Sequence, residues 1–156
     1  MILEYAQLLS TAHRVLDGNE STQKSFTGRN VKRYILPDDR ESILYVATHV
    51  NHPSAVWVRK SGANYDWLVK LLKNLSAEYT YRYGKVHKCE SIGLIAKLGI
   101  RPFNLDYNEF TEPTPAMPEE FIVSGNSIKS YINYYNGAKQ RMFSWKNREV
   151  PSWVLV

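Results

Sequence analysis

The sequence predicts an all-α fold: a single compact helical domain over residues 1–156, with long irregular loops. Apolar residues recur every three to four positions in several segments, which is the spacing that places them on one face of a helix. No segment shows the period-two alternation of a half-buried strand. Four prolines within residues 101–118 predict an irregular surface segment, because proline lacks the amide proton that regular structure needs.

The first helix is expected over about residues 1–17. Its apolar stripe is formed by Tyr5, Leu8, Leu9, Ala12, Val15 and Leu16. The opposite face is polar and includes Glu4, Thr11 and Arg14. Gly18 predicts the end of this helix, since glycine readily adopts the left-handed conformation found after a helix. The polar stretch 21–30 has no periodicity and is expected to be a loop.

Two further helices, residues 63–84 and 127–147, complete the predicted core, together with a shorter helix over about 86–98. The central helix, 63–84, has an apolar stripe of Tyr65, Leu68, Leu71, Leu72, Leu75 and Tyr79. Gly84 and Gly99 predict the ends of the central and the shorter helix. Asn126 and Ser127 are both good N-cap residues for the C-terminal helix.

Composition restricts the class of protein. The chain of 156 residues is 44% hydrophobic and 22% charged, as expected for one folded domain. The single cysteine, Cys89, excludes an internal disulfide. No apolar run approaches the length of a membrane span, and Met1 is not followed by a signal-peptide pattern. We therefore expect a cytoplasmic protein that does not enter a membrane.

Few residues suggest a metal site or a nucleophile. His49 and His52 lie three residues apart without a third ligand, so a cap or packing role for His52 is the stronger interpretation. Cys89 is more typical of a packed thiol than of a nucleophile, and no phosphate-binding glycine loop is present. No cofactor and no metal are expected.

The C-terminal helix carries the clearest functional signal. The chain has a net charge of +5, and residues 128–148 contain five basic residues and no acid. Tyr134, Lys139, Arg141, Lys146 and Arg148 are expected to contact DNA, with cations on phosphates and rings against bases. Another interpretation stays open: Tyr131, Tyr135, Met142 and Trp145 also have the spacing of a buried stripe.

Three segments in the same order resemble the pyrimidine-dimer DNA glycosylase/AP lyase (endonuclease V-like) family and related phage proteins. They cover about a third of the chain. The segments are Ile2-Leu3-Glu4-Tyr5-Ala6-Gln7-Leu8-Leu9, then His52-Pro53-Ser54-Ala55-Val56-Trp57 followed by Trp67-Leu68 and Glu78-Tyr79, and lastly Tyr131-Ile132-Asn133-Tyr134-Tyr135-Asn136-Gly137-Ala138-Lys139. The resemblance implies a DNA-acting enzyme without a cofactor.

The resemblance also implies site residues. Glu4 is the counterpart of the family's catalytic glutamate, and His52, Arg59 and Lys60 are expected near the site as further DNA-binding residues. In that family an N-terminal amine attacks the sugar C1′, displaces the damaged base and forms a Schiff base, and β-elimination then cuts the strand. Family members have a further segment before the glutamate, whereas Glu4 follows Met1 by three residues, so the amine of Met1 would have to substitute. Glu4 also fits a structural role as a first-turn glutamate.

Three functional hypotheses therefore remain open. The first is a DNA glycosylase/AP lyase that uses Glu4 and acts on damaged or modified pyrimidines. The second is a non-catalytic DNA-binding phage accessory or counter-defence protein, whose affinity survives the loss of Glu4. The third is an enzyme that acts on free nucleotides, in which aromatic and basic residues form a pocket.

Overall fold

A computed structural model describes residues 1–155. The chain divides into two compact units, Met1–Thr111 and Glu112–Val156. The elements of the N-terminal unit are α1 (Ile2–Asp17), β1 (Asn19–Lys24), β2 (Asn30–Ile35), α2 (Arg40–Ile43), α3 (Pro53–Val58), α4 (Gly62–Tyr83), α5 (Lys88–Ser91) and α6 (Leu94–Leu98). Those of the C-terminal unit are a 3₁₀ turn (Glu119–Phe121), α7 (Ser127–Tyr134), a π-helical turn (Tyr135–Lys139) and a second 3₁₀ turn (Gln140–Met142).

The all-α prediction is wrong, because the chain also contains a two-stranded antiparallel sheet. Strands β1 and β2 pair from Asn19 opposite Ile35 to Lys24 opposite Asn30. Most of the side chains of β1 are exposed and polar. A strand without a buried apolar face has no hydrophobic alternation, and the sequence pattern therefore resembled a loop. The fold is mostly helical with one β-hairpin.

The hydrophobic core of the N-terminal unit forms where α1 and α4 pack together and against α3 and α6. From α1, Ala6, Leu9 and Ala12 are fully buried, and from α4 Tyr65 and Leu72 are fully buried. The helical spacing of these residues explains why both helices were predictable. Among the described residues, no helix is both long and apolar enough to cross a membrane.

Two predicted helices have different bounds in the structure. The segment 86–98 forms two short helices, α5 and α6, and Gly93 between them has a left-handed backbone. The C-terminal helix expected over 127–147 ends as an α-helix at Tyr134. Beyond it the backbone continues as a π-helical turn and a 3₁₀ turn and then becomes irregular. The segment 101–118 contains no helix or strand, as its prolines predict.

Side-chain hydrogen bonds hold part of the irregular segment on the N-terminal unit. The hydroxyl of Ser61 donates to the carbonyls of Asn108 and Glu109. Asn64 is fully buried, and its amide nitrogen donates to the Trp57 carbonyl and to the Thr111 hydroxyl, both at 2.9 Å. Its amide oxygen accepts from the Thr111 backbone N–H at 2.9 Å. Backbone N–H and C=O groups outside helices and sheets still need hydrogen-bond partners. The side chains of Ser61 and Asn64 supply such partners to the irregular segment.

Arg14 connects α1 to the hairpin and to the chain that follows it. Its guanidinium donates to the carbonyls of Tyr34, Glu41, Leu44 and Tyr45 and to the Glu41 carboxylate, at 2.5–3.1 Å. These bonds occupy all five N–H donors of the side chain. Arg14 is only 2% exposed, so the polar face of α1 is buried at this position.

We predict that Arg14→Ala lowers the free energy of unfolding by about 3–5 kcal/mol, because it leaves the carbonyls that this guanidinium binds without that donor. Urea unfolding followed by circular dichroism measures the change. Lys70→Ala removes an exposed cation from α4 and should change stability by less than about 0.5 kcal/mol. Equal destabilisation by the two substitutions would contradict the role assigned to Arg14.

Candidate nucleic-acid interface

Glu4 lies in the first turn of α1, and its carboxylate forms an ion pair with the α-amine of Met1. Both groups are exposed, the Glu4 side chain at 62%. The hydrogen bond from the amine holds the pKa of Glu4 below its usual value. The amine and the carboxylate that the family resemblance assigns to catalysis are therefore adjacent and accessible to solvent.

His52, Arg59 and Lys60 lie at the two ends of α3. His52 is the N-cap residue, and its Nδ1 accepts from the backbone N–H of Ser54 at 3.2 Å. Arg59 donates to the carbonyls of Val50 at 2.7 Å and Ala55 at 3.0 Å, and burial lowers the pKa of its guanidinium. Lys60 is exposed. Of these three residues, Lys60 alone presents its charge fully to solvent.

Glu4 and the three residues at the ends of α3 are not linked by direct polar contacts within the described residues 1–155. Within the same residues, no group of three or more His, Cys, Asp or Glu side chains is arranged to hold a metal ion. His52 has the capping role that the sequence favoured over metal binding.

The C-terminal unit is organised by aromatic rings rather than by a buried aliphatic core. Tyr135, Phe143, Trp145 and Trp153 form one cluster, with ring centroids 5.3–6.5 Å apart. Tyr134 lies beside it and contacts the ring of Phe121 at 5.3 Å. Edge-to-face and offset arrangements at these distances are favourable for aromatic rings. The rings therefore stabilise the unit as well as cover its surface.

Asn136 and Gly137, which follow α7, explain why the chain after this helix folds back against it. Asn136 donates to the carbonyls of Ile132 and Trp153 and accepts from the N–H of Leu155, which ties the chain end to the helix end. A Cβ atom at Gly137 would lie 2.4 Å from the Phe121 ring. A larger residue at this position would therefore have to displace the Phe121 ring from the π-helical turn.

The five residues predicted to bind DNA in this segment differ in exposure. Lys139 places its ammonium 5.1 Å from the ring centroid of Tyr134, a cation–π contact, and both side chains are half-buried. Arg141, Lys146 and Arg148 are exposed. Residues 128–148 thus expose three cations beside a cluster of rings, in a segment that contains no acidic residue.

The buried stripe proposed for the C-terminal helix is absent from the described residues. Tyr131 and Tyr135 are 38% and 39% exposed, and Met142 is 65% exposed. Trp145 is half-buried inside the aromatic cluster. The stripe required a continuous helix over 127–147, and because the α-helix ends at Tyr134, the residues beyond it no longer share a face.

A cleft of about 280 Å³ opens on the N-terminal unit. Its cations already have acidic partners: Lys97 pairs with Asp39 at 2.5 Å, and Arg101 forms two hydrogen bonds with Asp66. The lining residues are Asp38, Asp39, Arg40, Lys97, Ile100, Arg101 and Phe103. The cleft is therefore close to electrically balanced and attracts anions weakly.

A buried polar network lies behind this cleft. Tyr65 donates to the Leu98 carbonyl at 2.9 Å and contacts Nε2 of His13 at 2.8 Å, while Nδ1 of His13 faces Arg40 at 2.9 Å. Arg40 also pairs with Asp17 at 2.5 Å. This pattern requires the neutral Nε2–H tautomer, in which Nδ1 accepts from Arg40. Burial, and then the charge of Arg40, lowers the pKa of His13 to about 4.

The sequence analysis did not identify His13, Arg40 and Tyr65 as partners. They come from three separate elements and share no local motif. The one available signal was that His13 lies next to Ala12 on the apolar side of α1, a position that buries a polar ring.

Comparisons with known proteins identify no relative: no protein-family model, curated protein or solved structure matches this chain.

We predict that His13 makes the protein less stable in acid. Its pKa is about 4 in the folded chain and about 6.5 when unfolded. Because the folded pKa is depressed, the contribution is complete above pH 6.5 and is lost as the pH falls towards 4, by about 3 kcal/mol. Unfolding free energies at pH 7 and pH 4 measure this loss, which His13→Gln should reduce. An NMR titration midpoint of His13 near 6.5 would contradict the assignment.

Proposed function

We propose that the protein binds DNA, with residues 128–148 as the phosphate-contacting segment. The observation that carries the proposal is the exposure of Arg141, Lys146 and Arg148 around an aromatic cluster, in a stretch without acids. Cations of this kind release the counterions condensed on DNA, and the release favours binding at low salt. Tyr131 and Tyr135 keep more than a third of their surface exposed and offer faces for stacking on unpaired bases.

The geometry favours a polymer over a free nucleotide as the ligand. A nucleotide pocket needs unneutralised donors that converge on one phosphate group. In the described cleft, Lys97 and Arg101 are instead engaged by Asp39 and Asp66. The exposed cations of the C-terminal segment are spread along the chain, an arrangement suited to successive phosphates of a backbone.

We expect the triple variant Arg141→Ala/Lys146→Ala/Arg148→Ala to bind a 20-base-pair duplex more weakly. If each side chain contacts one phosphate, the slope of log K against log salt should fall by about 3 in magnitude. Fluorescence anisotropy at several salt concentrations measures both the affinity and the slope.

The matched control is Lys70→Ala/Lys73→Ala/Lys85→Ala, which removes the same charge from exposed positions of the N-terminal unit. It should keep most of the wild-type slope, because these lysines lie outside the proposed contact segment. Equal losses in the two variants would show that net charge alone determines the affinity. That result would remove the role assigned to residues 128–148.

A second candidate function, AP lyase activity, is supported by the exposed pair of the Met1 amine and Glu4. An α-amine has a pKa near neutrality, so that part of it is an unprotonated nucleophile at physiological pH. Once a sugar carbon has reacted with this amine, the carboxylate of Glu4 lies within reach to move protons during elimination. The proposal needs the ion pair to open when an abasic site binds.

We predict that borohydride traps a covalent adduct between the wild-type chain and a duplex with one abasic site. Glu4→Gln should reduce adduct formation and strand cleavage by about a hundredfold, the usual contribution of a positioned acid–base group. Glu109→Gln, an exposed glutamate of the same unit, should retain both. If the wild type binds the duplex but yields no adduct, lyase activity is rejected and DNA binding stands.

A further inference from the structure

Most of the β1–β2 hairpin lies in another basic stretch of the chain. Residues 21–37 contain four basic residues, Lys24, Arg29, Lys32 and Arg33, and no acidic residue. Lys32 pairs with Glu20 at 2.8 Å. Within residues 1–155, Lys24, Arg29 and Arg33 form no ion pair with a carboxylate. The hairpin therefore presents three cations that no carboxylate of the described residues neutralises.

The turn of the hairpin is ordered by its own hydrogen bonds. The N–H of Ser25 donates to the Arg29 carbonyl at 2.8 Å, and the N–H of Gly28 donates to the Ser25 carbonyl at 2.9 Å. The Ser25 hydroxyl accepts from the N–H of Arg29 at 3.1 Å and contacts the Thr27 hydroxyl at 3.0 Å. Gly28 has φ of 77°, a conformation that favours glycine.

Phe26 lies at this turn with its ring fully in solvent, at a relative exposure of 107%. An aromatic ring is among the most costly groups to leave in water, and within the described chain this ring supports no packing. At the other end of the hairpin, the Tyr34 carbonyl is bonded to the buried Arg14. The ring thus projects from a two-stranded ribbon whose inner end is anchored to α1.

We propose that the hairpin enters a groove of duplex DNA and that Phe26 wedges into a base step. The inference rests on the proposed DNA binding and names a second contact for it. Two-stranded ribbons are used in either groove of DNA, and phenylalanine is one of the side chains that wedge between base steps from the minor groove and kink the duplex. Lys24 and Arg29 flank the ring in sequence and contact the phosphates on either side.

Charge and composition favour DNA over a lipid surface. Phe26 is the one large apolar side chain of the turn, and its neighbours Ser25 and Thr27 are polar. Peripheral anchoring in a bilayer generally takes a broad apolar face or an acyl chain beside a basic patch. A single ring flanked by cations suits DNA instead, because every base offers an aromatic face for stacking and the phosphates attract the cations.

The test compares wild type, Phe26→Ala and Phe26→Leu on a duplex that contains 2-aminopurine. The wild type should increase 2-aminopurine fluorescence as a base step opens, and Phe26→Ala should abolish the increase and weaken binding by about tenfold or more. Phe26→Leu keeps an apolar wedge and should restore part of both. Since Phe26 is fully exposed, the alanine variant should retain the wild-type melting temperature. Phe103→Ala removes another exposed ring of the same unit and should leave the fluorescence increase intact.

The possible failures are distinguishable. If the wild type binds DNA and Phe26→Ala gives the same affinity and fluorescence, the wedge is overturned and the proposed function is unaffected. If the wild type binds no DNA, the proposed function itself fails. If Phe26 is instead needed for binding vesicles of phosphatidylcholine and phosphatidylserine, and not for binding DNA, the hairpin is a membrane contact and the proposal is overturned.

Discussion

The arrangement of the hairpin on the N-terminal unit depends on the burial of one guanidinium. Arg14 lies inside the unit with all five donors bonded, four of them to carbonyls and one to the Glu41 carboxylate. A buried cation is tolerated only when every donor is satisfied, because its desolvation cost is several kcal/mol. The end of β2, the helix α2 and the segment after it must therefore adopt their positions together. The hairpin has little apolar surface with which to reach this position independently.

A second buried arginine, Arg40, connects α1 to the segment that follows the hairpin. Arg40 pairs with Asp17 and Asp38 and approaches Nδ1 of His13. The hydrogen bond from Arg40 holds the pKa of Asp38 at about 2. The guanidinium of Arg40 and the carboxylate of Asp38 are therefore both charged at neutral pH. Polar networks of this kind stabilise a segment that has few hydrophobic contacts. Because every group must keep its partner, they favour a single conformation of that segment. The structure thus uses two of its cations internally.

The predictability of each element followed from where its side chains point. Helix α1 and helix α4 were evident because Leu9 and Leu72 belong to apolar stripes that are buried. The hairpin was missed because its pairing is made by backbone bonds that leave no periodic trace in exposed side chains. Arg14 was placed on the polar face of α1, and its burial was not predictable, since periodicity alone cannot distinguish a charged residue that contacts water from one that binds buried carbonyls. The aromatic spacing after Tyr134 suggested a buried stripe, but that argument assumed a helix which Asn136 and its partners interrupt.

These internal uses of charge clarify where a polyanion can bind. Arg14 and Arg40 are almost fully buried, so neither is a surface charge despite contributing to the net +5. Arg59 is half-buried, and one of its nitrogens donates to two carbonyls. Nine of the remaining cations fall in two stretches without acids, four in residues 21–37 and five in residues 128–148. Each stretch also exposes aromatic surface, fully at Phe26 and partly at Tyr135. Phosphate neutralisation and ring stacking are the two contributions that sequence-independent DNA binding combines. Their coincidence in separate elements favours DNA contact more strongly than the overall charge does.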